Sequence, residues 1–289
     1  MTKINLAIST CPNDTFAFHA ILENQIDLRG LDFDIQLLDI QQLNDGLFGG
    51  LFDIAKASFH AAALLSDQTV VLPSGSALGF GVGPLVLAAR SEMTPNQTGH
   101  ETRTVLCPGE HTTATMLFRI FYADAINNGN VVLKQTLFSE IMPQLENGTA
   151  DFGVCIHEGR FTWEDAGLDC VEDLGTRWEA ETKSPLPLGG ILASRNLDSD
   201  VIQRVQSVIQ ESVQGGLDHP DRTIPTMRKH AQEFSDEVLM QHVKLYVNQW
   251  TVELGEVGQQ ALQVLSEKAK SCGIFPQNGA SIEVWKVME

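Results

Sequence analysis

Short apolar runs alternate with segments of helical spacing over most of the chain. The run "INLAIST" (4–10) reads as a buried strand, and "TFAFHAILEN" (15–24) as a helix capped by Asn13 or Asp14. "LDFDIQLLDI" (31–40) alternates as a half-buried strand does. "IQQLNDGLFG" (40–49) is a short helix closed by Gly49 and Gly50. "FDIAKAS" (52–58) is a strand leading into a helix over "FHAAALLSD", and "TVVLPSG" (69–75) is a further strand. "LGFGVGPLVLAAR" (78–90) is punctuated by glycine and ends as a strand. A strand over "TRTVLCPGE" (102–110) precedes a helix over "HTTATMLFRIFYADA" (111–125). Residues 133–158 read strand, helix, turn, strand, and "LPLGGILASR" (186–195) follows.

From 199 the pattern turns helical. Val201, Ile202, Val205, Val208, Ile209 and Val213 recur at helical spacing, and two more helices are expected over 235–248 and 255–273. Strands alternating with helices predict an α/β fold with mainly parallel sheets. Two segments look alike: "GPLVLAAR" (83–90) and "GGILASR" (189–195) both place small and apolar residues before an arginine. They bracket a piece with its own alternation. The expected division is therefore one lobe of residues 1–88 plus 194–289 and a second of 89–193, crossed twice. Such paired crossings belong to hinged two-lobed binders with the ligand site in the cleft. The length fits, because 289 residues exceed what one hydrophobic core usually serves.

Composition narrows the function. Apolar residues make up 43% and charged residues 19%, an ordinary globular balance. The net charge is −18, which repels nucleic-acid phosphate, and no basic stripe offsets it. No run approaches the length of a membrane span, and the amino terminus lacks the apolar core of a signal peptide, so the expected place is the cytoplasm. The five cysteines follow no metal-ligand spacing. Cys11, Cys107 and Cys155 fall at the ends of predicted strands, as packing residues or as a candidate nucleophile.

In an α/β lobe, ligands meet the carboxyl ends of strands. Four such ends carry suggestive residues. "STCPNDTF" (9–16) brings Asn13 and Asp14 to a helix start. "KASFHA" (56–61) places Lys56, Ala57 and Ser58 before a helix. "PGEHTTA" (108–114) opens a helix with Thr112 and Thr113, where unpaired N–H groups and the helix dipole suit a bound carboxylate. Either threonine also serves as an ordinary cap. "VCIHEGRF" (154–161) ends a strand on His157 and Glu158, a polar turn or a presented base.

Taken together, "CPNDTF", "KAS", "LGFGVGPLV", "HTTA" and "IHE", with "EFSDEV" (233–238) further on, make the chain resemble the 1,4-dihydroxy-6-naphthoate synthase family of the futalosine route to menaquinone. The resemblance implies a two-lobed fold like type II periplasmic solute-binding proteins, with the site in the interlobe cleft. It implies a lyase that cleaves cyclic dehypoxanthine futalosine to 1,4-dihydroxy-6-naphthoate and dihydroxyacetone, using no metal or organic cofactor. Carried over, Lys56, Ala57, Ser58, Thr112 and Thr113 bind substrate and His157 is the base; Asn13 and Asp14 join as loop candidates. Phe59 stands where some relatives are expected to have a tyrosine, which puts a phenol contact there in doubt. Histidine's unperturbed pKa of about 6.5 suits proton removal near neutrality.

The expected partner is a small carboxylate substrate, with no nucleic acid and no membrane insertion. The oligomeric state is not legible. Three rivals stay open: a chorismate dehydratase-like enzyme, a plain solute-binding protein and the effector-sensing part of a regulator.

Overall fold

The computed structural model describes residues 1–89, 94–97, 102–157, 159–231, 235–277 and 281–287. From the amino terminus run β1 (Thr2–Ser9), α1 (Pro12–Ala17), α2 (His19–Leu22), β2 (Leu31–Leu38) and α3 (Ile40–Phe48). β3 (Ile54–Ser58), α4 (Phe59–Leu64), β4 (Thr69–Val71) and β5 (Ala77–Gly79) follow. Next come β6 (Leu85–Ala88), β7 (Arg103–Cys107), α5 (Thr113–Phe121), α6 (Ala123–Asn127), β8 (Val131–Gln135) and α7 (Phe138–Glu146). β9 (Phe152–Cys155), α8 (Gly159–Thr162), β10 (Asp169–Asp173), α9 (Leu174–Thr182) and β11 (Leu186–Ser194) continue the chain. It closes with α10 (Ser199–Asp218), α11 (Ile224–His230), α12 (Asp236–Tyr246), α13 (Gln249–Val252) and α14 (Gly255–Ser271).

The chain divides into two compact units. One comprises Met1–Gly79, Pro187–Gln263 and Ala280–Glu289, the other Phe80–Leu186 and Val264–Gly279. The boundaries differ from those the repeated segments suggest. "GPLVLAAR" supplies β6, already in the second unit's sheet, and "GGILASR" supplies β11, already in the first unit's sheet. The first change of unit falls earlier, at the start of the strand-free stretch before β6. Within α14, the residues from Val264 onward group with the second unit.

The first unit's sheet has the order β2-β1-β3-β11-β4, with β5 paired to β11. β1 lies parallel to β2 and β3, whereas β11 runs antiparallel to β3 and β4. The second sheet has the order β10-β6-β9-β7-β8, parallel about β7 and antiparallel about β6. Both sheets are thus mixed rather than mainly parallel. The alternating pattern identifies the parallel βαβ pieces but carries no sign for the strands that follow a unit change, and β6 and β11 are those strands.

Burial explains the elements. Ile4, Leu6 and Ile8 of β1 pack with Ile54, Ile191 and the inner stripe of α10 (Ile202, Val205, Val208, Ile209, Val213). Phe16 gathers Met227, Leu239, Val243 and Val247 of the carboxyl-terminal helices. In the second unit, Leu85, Leu87 and Leu106 meet Ile141 and Leu145 of α7. The helix expected over 15–24 is two short ones. It starts at Pro12 in the first turn, with Cys11 at the N-cap and no side-chain cap bond, so neither Asn13 nor Asp14 caps it. Proline fixes the first helical φ and needs no N–H there, which frees the Asp14 carboxylate. β10, α9 and α11 were not expected from the pattern. No helix among the described residues is long and apolar enough to cross a membrane.

Candidate functional site

In the first unit, the parallel strands β1 and β3 bring their carboxyl ends to one edge of the sheet. The loop after β1 therefore meets the end of β3. Lys56 lies in a wholly buried strand, and its ammonium donates to Asp14 Oδ1 at 2.9 Å and to the Gly75 carbonyl at 2.9 Å. Asp14 is equally buried. Its Oδ2 accepts from the Ser9 amide at 3.2 Å, and its Oδ1 also accepts from Asn13 Nδ2 at 2.9 Å. Asn13 Oδ1 in turn meets His242 Nε2 at 3.0 Å.

Ser58, at the last position of β3, is gripped by Asn44 of α3. The Ser58 amide donates to Asn44 Oδ1 at 3.1 Å, and Asn44 Nδ2 donates to Ser58 Oγ at 3.2 Å. Ala57 puts its methyl into the core and pairs with Gly190 in the ladder. The glycine pair of β11 permits this approach, because a Cβ on Gly189 would stand 2.5 Å from the Ala57 carbonyl oxygen. Of the predicted residues, Asn13, Asp14 and Lys56 thus form one polar cluster at this end of the sheet, Ser58 pairs separately with Asn44 at the end of β3, and Ala57 is a core residue of the strand between them. Asn44 and His242 were missed. Nothing in a single sequence distinguishes Asn44 from any helix asparagine, and His242 arrives from 229 positions beyond Asn13.

In the second unit, β7 and β9 are adjacent and parallel, with Leu106 opposite Gly153. The loop after each therefore leaves the same sheet edge, carrying Thr112 and Thr113 from one strand and His157 from the other. Thr112 is the N-cap of α5. Its hydroxyl accepts from the Thr115 amide at 3.2 Å and donates to the Gly109 carbonyl at 2.8 Å. Thr115 Oγ1 donates to the same carbonyl at 2.6 Å. The Thr112 proton is thus committed to the loop, so the capping role foreseen for one threonine belongs to Thr112. Thr113, the first helical residue, is buried.

His157 follows β9 by two positions and has φ 54°, in the left-handed region. That conformation is uncommon for a residue with a Cβ, though histidine tolerates it better than most. Its carbonyl accepts from the Arg160 amide at 3.2 Å, which starts α8 immediately afterwards. The half-buried imidazole meets the Phe138 ring edge-on, centroids 5.0 Å apart. Phe138 opens α7, and α7 lies tight on β9 because a Cβ on Gly153 would overlap Ile141 Cγ2. Gly153 thus lets α7 approach β9 closely enough for Phe138 to meet the His157 ring. Glu158 lies outside the described residues.

The other candidates are buried or half-buried. Burial pushes the Cys107 thiol up to about 12, the reverse of an activated nucleophile. Cys11 and Cys155 are buried too. His60 is buried on α4, and His111 is half-buried in the loop before α5. Among the described residues no group of three His, Cys, Asp or Glu side chains could hold a metal ion.

A family model for menaquinone biosynthesis matches residues 4–271. The chain belongs to the menaquinone-biosynthesis family. Two curated relatives within it carry the name "1,4-dihydroxy-6-naphtoate synthase". One, from Thermus thermophilus, is 39% identical over 274 residues, 95% of this chain and 96% of its own. The other, from Streptomyces coelicolor, is 37% identical over 276 residues, 96% of each. Among solved structures, protein AF1704 from Archaeoglobus fulgidus aligns with a TM-score of 0.86 and 29% identity, covering 94% of this chain and 98% of that one. The ligand-binding component of an ABC-type import system from Staphylococcus aureus aligns with a TM-score of 0.73 at 13% identity, covering 99% and 97%. The menaquinone-biosynthesis family member described here therefore has the periplasmic-binding-protein-like fold, as the motif resemblance implies.

Proposed function

We propose that this enzyme of menaquinone biosynthesis is a lyase that cleaves cyclic dehypoxanthine futalosine to 1,4-dihydroxy-6-naphthoate and dihydroxyacetone, with His157 as the general base. The observation that carries the reading is the His157 turn. The His157 backbone lies in the left-handed region, its ring rests against the edge of Phe138, and it follows the strand adjacent to β7, whose own loop leads to the α5 N-terminus. Functional groups are where such strain is tolerated. The relatives' names, synthases of 1,4-dihydroxy-6-naphthoate, support that product.

The chemistry asks for little beyond a placed base. The substrate's acidic proton lies beside a carbonyl, and its removal begins a collapse to an aromatic ring. Aromatisation supplies the driving force, so a neutral imidazole held in reach suffices. Thr113 and the first-turn amides of α5 take the substrate carboxylate, with Thr112 shaping that helix end as its cap. Lys56 and Ser58 contribute a charge and a hydroxyl to substrate binding. This reading uses no metal or organic cofactor and places the enzyme in the cytoplasm.

The test is His157→Asn, assayed with cyclic dehypoxanthine futalosine by the appearance of the naphthoate chromophore. Asparagine keeps a polar group of similar reach but accepts no proton. We expect kcat to fall by about 10²–10⁴-fold, the product Kd to hold, and the acid limb of the wild-type kcat/KM profile to disappear. Near-normal kcat in His157→Asn, with loss in His111→Asn or His60→Asn, would move the base elsewhere. Turnover of chorismate in place of cyclic dehypoxanthine futalosine would move the protein to the dehydratase class.

A further inference from the structure

The polar cluster of the first unit contains a directional chain that ends on Lys56 and whose other members, His242, Asn13 and Asp14, have no part in the proposed reaction. Asp14 is a carboxylate and can only accept, so the Asn13 group facing it at 2.9 Å must be the amide NH₂. The Asn13 carbonyl is then turned toward His242, and a carbonyl also only accepts. His242 Nε2 must therefore carry a hydrogen, which it donates at 3.0 Å. The order is fixed throughout: His242 donates to Asn13, Asn13 donates to Asp14, and Asp14 accepts from Lys56 at 2.9 Å. Reversing any one link would set two acceptors or two donors face to face.

The far end of this chain is held as firmly as the near end. His242 is 2% exposed and lies in α12, whose Leu239 and Val243 pack against Phe16 of α1. Its ring lies 4.6 Å from that of Tyr246, one turn later. The helix that presents Asn13 and Asp14 is thus packed against the helix that presents His242. A lysine stem has several rotatable bonds and much rotamer freedom. The carboxylate that restrains the Lys56 ammonium is itself oriented from α12.

We infer that His242 is a positioning residue: through Asn13 and Asp14 it fixes the direction of the Lys56 ammonium, and so sets substrate affinity without touching substrate. The inference rests on the reading that Lys56 binds the substrate. It also revises the part played by Asn13 and Asp14, which act on Lys56 rather than on the ligand.

The experiment compares His242→Leu, His242→Gln, Asn13→Ala and Lys56→Met in the full chain. Kd for 1,4-dihydroxy-6-naphthoate is read by fluorescence, with KM and kcat for turnover alongside. Leucine keeps bulk but donates nothing, whereas the glutamine amide can place an N–H near the position of Nε2. His242→Leu should raise Kd and KM by about 10-fold or more, the scale of one misdirected bond to a charged group. kcat should change far less, and His242→Gln should recover most of the loss. Asn13→Ala cuts the same chain at a half-buried link and should reproduce the leucine effect, so the inference stays testable even if His242→Leu folds poorly. Adding His242→Leu to Lys56→Met should cost nothing further in affinity. If Lys56→Met leaves Kd and KM unchanged, the substrate-binding reading of Lys56 fails. If Lys56→Met weakens binding but His242→Leu and Asn13→Ala do not, or if Gln and Leu behave alike, the positioning role is overturned.

Discussion

At Lys56 and Asp14 the side chains are 6% and 2% exposed, and their ion pair spans 2.9 Å. Two charges so far from water are expensive to keep, and the arrangement stands only because every oxygen of Asp14 has a donor and the ammonium also reaches the Gly75 carbonyl. Removing one partner leaves the other charged and unmatched. Asp14→Asn should therefore destabilise the protein by about 3–5 kcal/mol, seen in calorimetry as a fall of roughly 10 °C in melting temperature. A shift within a degree or two would mean that water reaches the ammonium. These residues were legible because strand ends in α/β folds are where chemistry gathers, and "CPND" and "KAS" both sit at strand ends. Their direct contact was not legible, since it depends on β1 and β3 being neighbours in the sheet. His242 was beyond reach for the same reason: its partner is chosen by the packing of α12 on α1, and no local signal in the sequence encodes that.

Elements were legible where one face is clearly apolar and lost where it is not. α10, with its inner stripe of valines and isoleucines, was read correctly from spacing. β10 escaped because it is a charged edge strand, "DCVED", with no fully buried face. α9 escaped because Gly175 near its start weakens a helical signal. That glycine is required all the same, because a Cβ there would run into the Val82 carbonyl oxygen. Gly153 of β9 shows the same logic in a place that bears on the site. α7 rests on β9 through Ile141 and Leu145, and Phe138 at the head of α7 touches the His157 ring. Gly153→Ala would lift the helix from the strand. Overpacking of this kind typically costs about 1–3 kcal/mol, and here it would also turn Phe138 away from the imidazole. We expect a lower melting temperature together with a kcat reduced by roughly 10-fold or more, as catalytic groups misplaced by about 1 Å lose much of their rate. A Gly153→Ala protein that is less stable but turns over at the wild-type rate would show that Phe138 has no part in holding His157.

For the molecule as a whole, the periplasmic-binding-protein-like fold followed from motif order better than from periodicity. The unit boundaries and the mixed sheets depend on where β6 and β11 insert, and hydrophobic pattern is silent on that. Charge acts at this scale too, and it sets a last expectation for the proposed carboxylate substrate. The chain carries a net charge of −18, so its far field repels an approaching anion, while the donors proposed to bind it would act only at contact distance. Salt separates the two effects. The Debye length shrinks from about 30 Å at 0.01 M to about 8 Å at 0.15 M, which removes long-range repulsion but leaves buried contacts largely unscreened. Raising NaCl over that range should therefore increase kcat/KM by a few-fold, through faster association, with kcat unchanged. Neutralising exposed acidic residues remote from the site should mimic added salt and flatten the dependence. A kcat/KM that falls steadily from the lowest salt upward would sink this expectation, since it would mean that a local positive field outweighs the net charge and draws the anion in.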